Sequence, residues 1–356
     1  MVDNEILLFI GNKEKRLMIT IKKMAQILGV STTTVSNVIH GKTKEVSSET
    51  IKRVQALVDK YEYVPNINAR NLATNNSNII GVAIKTIKCK YENPINDPFV
   101  SELLGTIEKE IRKKEYFMML YISDNINEIL KCITTWNVDG VIFLGMDERD
   151  LGMIKKKYKK PTVYIDSYFY NEKKEFVRVG IEDAKGAYEM TKYLIECGHK
   201  KIAFFTDNGQ GLDCERFNGY KRALDDFNIT FNKEDLIIVN TVNENMDYFL
   251  KEVYEICNKY TALFCMSDYY AVLLMNYFID RGKSIPDDFS IVGYDNVGYA
   301  QLSRPMLTTV NQDIDKKGKI ATKLLIDMIK GEIIENNNVI LPTELVIRES
   351  VKIINK

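Results

Sequence analysis

Two short runs near the amino end carry side chains suited to reading another molecule. Gly29-Val30-Ser31-Thr32-Thr33-Thr34-Val35-Ser36 is followed, about thirty residues on, by Pro65-Asn66-Ile67-Asn68-Ala69-Arg70-Asn71-Leu72. A helix that enters a DNA groove needs short polar side chains at its amino end and apolar residues behind them. Thr32, Thr33 and Asn37 fall on the outward face of such a helix, and Val35 and Val38 fall inward. Ser31, Thr34, Ser36 and His40 suit phosphate contacts, which position a protein on DNA without specifying sequence. Taken alone, the same residues also fit the Thr-rich surface of a helical hairpin.

A second set of chemistry lies at strand ends. Asp166 follows Val163-Tyr164-Ile165, Ser267 and Asp268 follow Phe264-Cys265-Met266, and Asp295 follows Ile291-Val292-Gly293-Tyr294. Ligands of open α/β sheets sit beyond the carboxyl ends of the strands. Several carboxylates there would accept hydrogen bonds from adjacent hydroxyls, as a polyhydroxylated ligand offers. A strand-end aspartate can equally cap the helix that follows it. Catalysis has little support, with no G-x-x-x-x-G-K and no G-x-S-x-G. We expect no catalytic residue, metal ligand or cofactor. The two histidines, His40 and His199, are far apart, and His199 in Cys197-Gly198-His199-Lys200-Lys201 reads as part of a structural turn. None of the six cysteines forms a C-x-x-C pair, which fits thiols in a reducing cytosol.

These residues need a scaffold, and 356 residues allow a small head and a two-lobed body. Overall charge cancels, 49 basic against 49 acidic. Locally, Lys22, Lys23, Lys42, Lys44, Lys52, Arg53, Lys60 and Arg70 outweigh Glu45, Glu49, Asp59 and Glu62. That excess fits phosphate attraction confined to one end. Thr20, Ser31 and Ser47 are placed to cap helices over Ile21–Leu28, Thr32–Ile39 and 48–61, and Pro65 stops the third. From Ile79 the pattern becomes short apolar strands alternating with helices. The strand candidates are 79–84, 117–122, 140–144, 162–165, 202–205, 236–239, 262–266 and 290–293. Helical patterns over 99–112, 184–196, 219–227 and 269–281 lie between them. The alternation predicts two parallel sheets flanked by helices. No stretch is apolar enough to span a bilayer, and Asp3 and Glu5 stand where a leader wants positive charge. We expect a cytoplasmic protein in which residues 1–17 are an extension, an over-called start before Met18.

The residues then reach a known pattern. Thr20-Ile21-Lys22, Gly29-Val30-Ser31, Thr34-Val35-Ser36, Val46-Ser47, Tyr63, Pro65-Asn66, Ala69-Arg70 and Leu72 closely resemble the lactose/galactose repressor (LacI/GalR) family. So do Cys197 to Ala203, Arg216-Phe217-Asn218-Gly219-Tyr220, Ile285 to Asn296 and Arg304 to Val310. The resemblance runs from Thr20 to Ser350. It implies a helix-turn-helix head (18–64), a hinge (65–78) and a periplasmic-binding-protein-like core (79–356), with lobes of about 79–178 plus 306–338 and 179–305 plus 339–356. It implies a homodimer that reads pseudo-palindromic double-stranded operator DNA through the major groove. In the hinge, Asn66 and Arg70 would contact DNA and Leu72 would wedge into the minor groove. Arg216 matches the family's ligand-binding arginine, and Phe99 a position that packs a ring face. The effector-binding set is thus Phe99, Asp166, Arg216, Ser267, Asp268 and Asp295. The leading expectation is a repressor released by a sugar or sugar phosphate. The alternatives are a corepressor type answering to a purine-like ligand or a protein partner, and a binding protein with a non-functional head. Two departures matter. Lys23 breaks the usual capping box. Asn37 stands where arginine or histidine is frequent, so the operator should differ, asparagine preferring adenine.

Overall fold

The computed structural model describes residues 19–63, 76–86, 93–167, 176–206, 211–238 and 246–354. The chain divides into two compact units at Asn75/Asn76.

The first unit holds α1 (Ile21–Leu28), α2 (Thr32–Ile39) and α3 (Ser48–Lys60). Its caps are the expected ones: the hydroxyls of Thr20, Ser31 and Ser47 accept the backbone N–H of Lys23, Thr34 and Thr50. Gly29 turns the chain at φ +69°, a left-handed conformation that glycine adopts without a Cβ penalty. Met24, Val35 and Val54 close the small core with no exposed surface. Arg53 of α3 donates to the Leu28 carbonyl at 3.1 Å, a cation at the carboxyl end of α1.

The second unit contains two six-stranded sheets. The first comprises β1 (Ile79–Lys85), β2 (Phe117–Ser123), β3 (Gly140–Leu144), β4 (Thr162–Ile165), β5 (Val177–Ile181) and β11 (Asn338–Leu341), in the order β11-β5-β4-β3-β1-β2. Every pairing in it is parallel. The second comprises β6 (Ile202–Thr206), β7 (Leu236–Ile238), β8 (Ala262–Cys265), β9 (Ser290–Asp295), β10 (Thr308–Gln312) and β12 (Thr343–Val346), in the order β12-β10-β9-β8-β6-β7. Only β12 runs antiparallel, against β10. Helices α4 (Pro98–Lys113), α5 (Ile126–Thr135), α6 (Glu148–Lys157) and α12 (Ile314–Ile329) accompany the first sheet. Helices α7 (Asp183–Glu196), α8 (Leu212–Asp226), α9 (Met246–Ile256), α10 (Asp268–Ile279) and α11 (Gly298–Leu302) accompany the second. Among the described residues, no helix is long and apolar enough to cross a membrane.

The chain passes between sheets three times, after Ile181, after Gln312 and after Leu341. These points correct the expected lobe limits. Residues 306–313 go with the second lobe because β10 pairs with β9 and β12. Residues 179–181 and 339–341 go with the first, because β11 pairs with β5. The sequence pattern missed β5, β10, β11 and β12. Each carries polar residues such as Arg178, Asn311, Asn338 and Glu344 within a short run, so none reads as a continuous apolar segment.

His199 belongs to the scaffold. Its ring nitrogens lie 3.0 Å from Thr261 Oγ1 and 3.0 Å from the Lys352 carbonyl, with Ser290 Oγ at 3.1 Å. Burial lowers its pKa, so the neutral ring ties the carboxyl-terminal segment to the second lobe. The described cysteines are free thiols.

Helices α7 and α8 meet closely at Gly219, where an added Cβ would lie 2.0 Å from the Ala184 carbonyl oxygen. That approach sets Arg216, one turn earlier on α8, beside Asp183 at the start of α7. Gly219→Ala must push the helices apart, at a cost of about 1–3 kcal/mol. We expect its thermal midpoint to fall by roughly 2–12 °C. An unchanged midpoint in a melting curve would show that the helices separate freely.

Candidate functional site

On α2, the residues expected to face DNA share one side. Thr32, Thr33 and His40 are exposed, and Ser36 and Asn37 are half-buried. At about 100° per residue, Thr32, Thr33, Ser36, Asn37 and His40 fall within an arc of roughly 140°. Val35 and Val38 are buried on the opposite side. Ser31 and Thr34 have a local job: their hydroxyls lie 2.8 Å apart, and Ser31 Oγ accepts the Thr34 N–H. The outward arc presents hydroxyls, an amide and an imidazole at the amino end of a short helix, with no carboxylate among them. This is a surface that a DNA groove could accept. Asn66, Arg70 and Leu72 lie outside the described residues.

The second site lies where the carboxyl ends of both sheets meet. Its centre is Arg216, 3% exposed, which α8 delivers into the cleft. Its Nε donates to Asp183 Oδ1 at 2.7 Å, and one terminal nitrogen donates to the Met266 carbonyl at 2.5 Å. The other terminal nitrogen lies 3.4 Å from Asp295 Oδ1. The guanidinium also sits 3.6 Å above the Tyr294 ring. Burial alone would lower its pKa, but Asp183 and Asp295 outweigh that effect and hold it well above its ordinary value. Arg216 is therefore a fixed cation.

Asp295 and Asp166 approach from opposite lobes. Both have left-handed backbones for non-glycine residues, φ +113° and φ +47°, an outlier geometry that collects at binding sites. Asp295 Oδ1 accepts from Gln312 Nε2 at 2.6 Å. Asp166 accepts from Lys317 Nζ at 2.7 and 2.8 Å. Burial raises the Asp166 pKa; Lys317 opposes that shift and Asp183 adds to it. The Phe99 ring lies 5.1 Å from Lys317 Nζ, which brings the expected ring into the same cluster. The sequence pattern did not reveal Asp183, Gln312 or Lys317. Gln312 and Lys317 flank a crossover that was misplaced, and a lysine usually reads as solvated surface.

Ser267 and Asp268 sit at the end of β8 and differ in character. Ser267 Oγ is buried and has no hydrogen-bond partner among the described residues. A buried hydroxyl in that condition can still make a hydrogen bond. Asp268 is already committed: Oδ1 accepts from Thr309 Oγ1 at 2.5 Å and Oδ2 accepts the Val297 N–H at 2.9 Å. It braces α10, β10 and the start of α11. Gly293 leaves room for it, since a Cβ there would lie 2.3 Å from Asp268 Oδ1.

Burial, with Asp295 adding to it, raises the Asp268 pKa well above 3.8. Below that pH the carboxyl is protonated in both folded and unfolded chains. As the pH rises the unfolded chain releases its proton first, so stability drains away up to the raised folded pKa. Asp268→Asn removes the ionisation and keeps the shape. Its melting midpoint should exceed that of the wild type at pH 7, and the gain should shrink towards zero near pH 4. A lower midpoint at pH 7 would show that the carboxylate itself stabilises the lobe.

Residues 20–66 match the model described as bacterial regulatory proteins, lacI family, and residues 191–351 match the periplasmic binding protein-like domain. The HTH-type transcriptional repressor PurR of Vibrio atlanticus (strain LGP32) is 32% identical over 345 residues, spanning 95% of this chain and all of that protein. Among solved structures, the lac repressor dimer bound to operator and the anti-inducer ONPF superimposes with a TM-score of 0.79 at 21% identity. That alignment covers 94% of this chain and 99% of the other, and the likeness is one of fold. A LacI family transcriptional regulator from Enterococcus faecium with bound ribose gives a TM-score of 0.65 at 27% identity, over 78% of this chain and all of that one.

Proposed function

The chain belongs to the lacI family of bacterial regulatory proteins, and from that premise we propose that it is a transcriptional repressor whose grip on operator DNA answers to a small molecule bound between the core lobes. The head residues Ser31, Thr32, Thr33, Thr34, Ser36, Asn37 and His40 meet DNA, joined by Asn66, Arg70 and Leu72. The protein acts in the cytoplasm as a homodimer, each head taking half of a pseudo-palindromic site. The observation that carries this reading is the pairing of a carboxylate-free polar arc on α2 with a cleft built around a buried arginine.

The effector is neutral and rich in hydroxyls, best met by an unphosphorylated sugar. Asp166, Asp183 and Asp295 stand against Arg216 and Lys317, and both cations are already engaged. A sugar phosphate would bring further negative charge to carboxylates held at close range, where Arg216 and Lys317 are already engaged. Asp295, Asp166, Arg216 and the unpartnered Ser267 supply the polar contacts, and Phe99 the apolar face. A purine-like corepressor is the second reading, favoured by the likeness to repressors named PurR.

Thermal unfolding of the full chain against neutral sugars, sugar phosphates and nucleobases tests this reading. A ligand that binds only the folded state raises the midpoint with concentration. One neutral sugar should raise it, and Asp295→Asn should abolish the rise. A rise with nucleobases alone would replace the sugar reading by the purine one. For the head, operator sites selected from random duplexes should carry adenine opposite Asn37. Asn37→Arg should move that preference to guanine, with each good pair contributing about 1–3 kcal/mol of discrimination. Selected sites indifferent to Asn37→Arg would remove α2 from base reading.

A further inference from the structure

We infer that Lys317 sets the charge of the effector that the cleft accepts. This inference rests on the cleft being the effector site. Lys317 projects from α12 of the first lobe and has no exposed surface. An ammonium withdrawn from water must be fully paired. Its three N–H donors meet both oxygens of Asp166, at 2.7 and 2.8 Å, and Gln312 Oε1 at 2.5 Å. It therefore has no donor left for a ligand and works through its partners.

Two consequences follow. Asp166 is neutralised before any ligand arrives. The Gln312 amide is also oriented: its oxygen faces Lys317, so its nitrogen must face Asp295, which accepts it at 2.6 Å. Asp295 draws on the Arg216 cation, which it shares with Asp183. Carboxylates from both lobes are thus paired internally, at a place where either could have bound a ligand cation. A neutral hydroxyl can still share their remaining lone pairs. An amine finds Asp166 already paired and meets the Lys317 ammonium beside it. Lys317 is a specificity-determining residue that makes the cleft select neutral ligands over cationic ones.

Lys317→Met removes the cation that opposes burial at Asp166 and leaves that carboxyl to ionise against an amine-bearing ligand. Lys317→Gln also removes the charge but retains a hydrogen bond to Asp166, so it carries the test if Lys317→Met does not fold. The double variant Lys317→Met/Asp166→Asn removes both charges. The probes are neutral hexoses and pentoses and their 2-amino-2-deoxy counterparts, titrated at pH 6.5 into the full chain and followed by melting midpoint and calorimetry. The wild type should bind the neutral member of a pair in preference to the amine. Either single variant should shift the affinity ratio towards the amine by about tenfold or more, a change of about 1.4 kcal/mol. The double variant should lose that gain. If single variants keep the wild-type ratio, or if the double variant retains the amine gain, the inference is overturned. A wild type that answers to no neutral sugar would refute the sugar reading alone. The amine gain of the single variants would then still support the role of Lys317, and its absence would still overturn it.

Discussion

A guanidinium taken out of water must find partners for its donors and its charge, and the core of this protein is arranged around that demand. Arg216 obtains them from Asp183, the Met266 carbonyl and Asp295, three points distant in sequence that the fold brings together. Asp183 opens α7 just after the first crossover, Met266 directly follows β8, and Asp295 ends β9. If the helices carrying Arg216 and Asp183 stood farther apart, the cation would lose its nearest carboxylate, and breaking a buried pair costs about 3–5 kcal/mol. The glycine at the α7–α8 contact, the left-handed backbone at Asp295 and the ring of Tyr294 all serve that single placement.

The same logic extends across the cleft. From Arg216 the polar contacts run through Asp295 and Gln312 to Lys317 and Asp166. Gln312 and Lys317 stand on either side of the second crossover, and Asp183 stands beside the first. The segments on which the lobes would pivot are therefore tied into the proposed binding site. A ligand that re-partners Asp295 or Asp166 acts directly on them. Control of DNA binding requires the ligand to prefer one arrangement of the protein over another, and a polar chain threaded through two crossovers provides a place for that preference to be expressed.

The sequence was legible where one physical signal dominated. Thr20, Ser31 and Ser47 cap their helices because a hydroxyl before an apolar 3.6-residue period has few other uses. The strands that enclose the apolar cores stand out as short runs of valine, isoleucine and phenylalanine. Of the cleft residues, Asp166, Arg216 and Asp295 were marked by strand-end position or by motif, and they do converge. Asp268 carried the same strand-end mark, yet the fold uses it as a brace. Lys317 and Gln312 were hidden because their environment comes from residues distant in sequence. β10 and β11 were hidden because they are short and partly polar, and their loss displaced the lobe limits. Pairing across a sheet edge is a tertiary property that no local window contains.

The central claim is that the cleft and the DNA-binding head share one free energy. Calorimetric titration of the effector into the free chain and into the chain saturated with its selected operator measures that coupling directly. The account predicts that the two effector affinities differ at least fivefold, and that effector changes operator affinity by the same factor, as linkage demands. Equal effector affinities with and without operator would contradict it and leave the cleft as a binding site with no regulatory consequence.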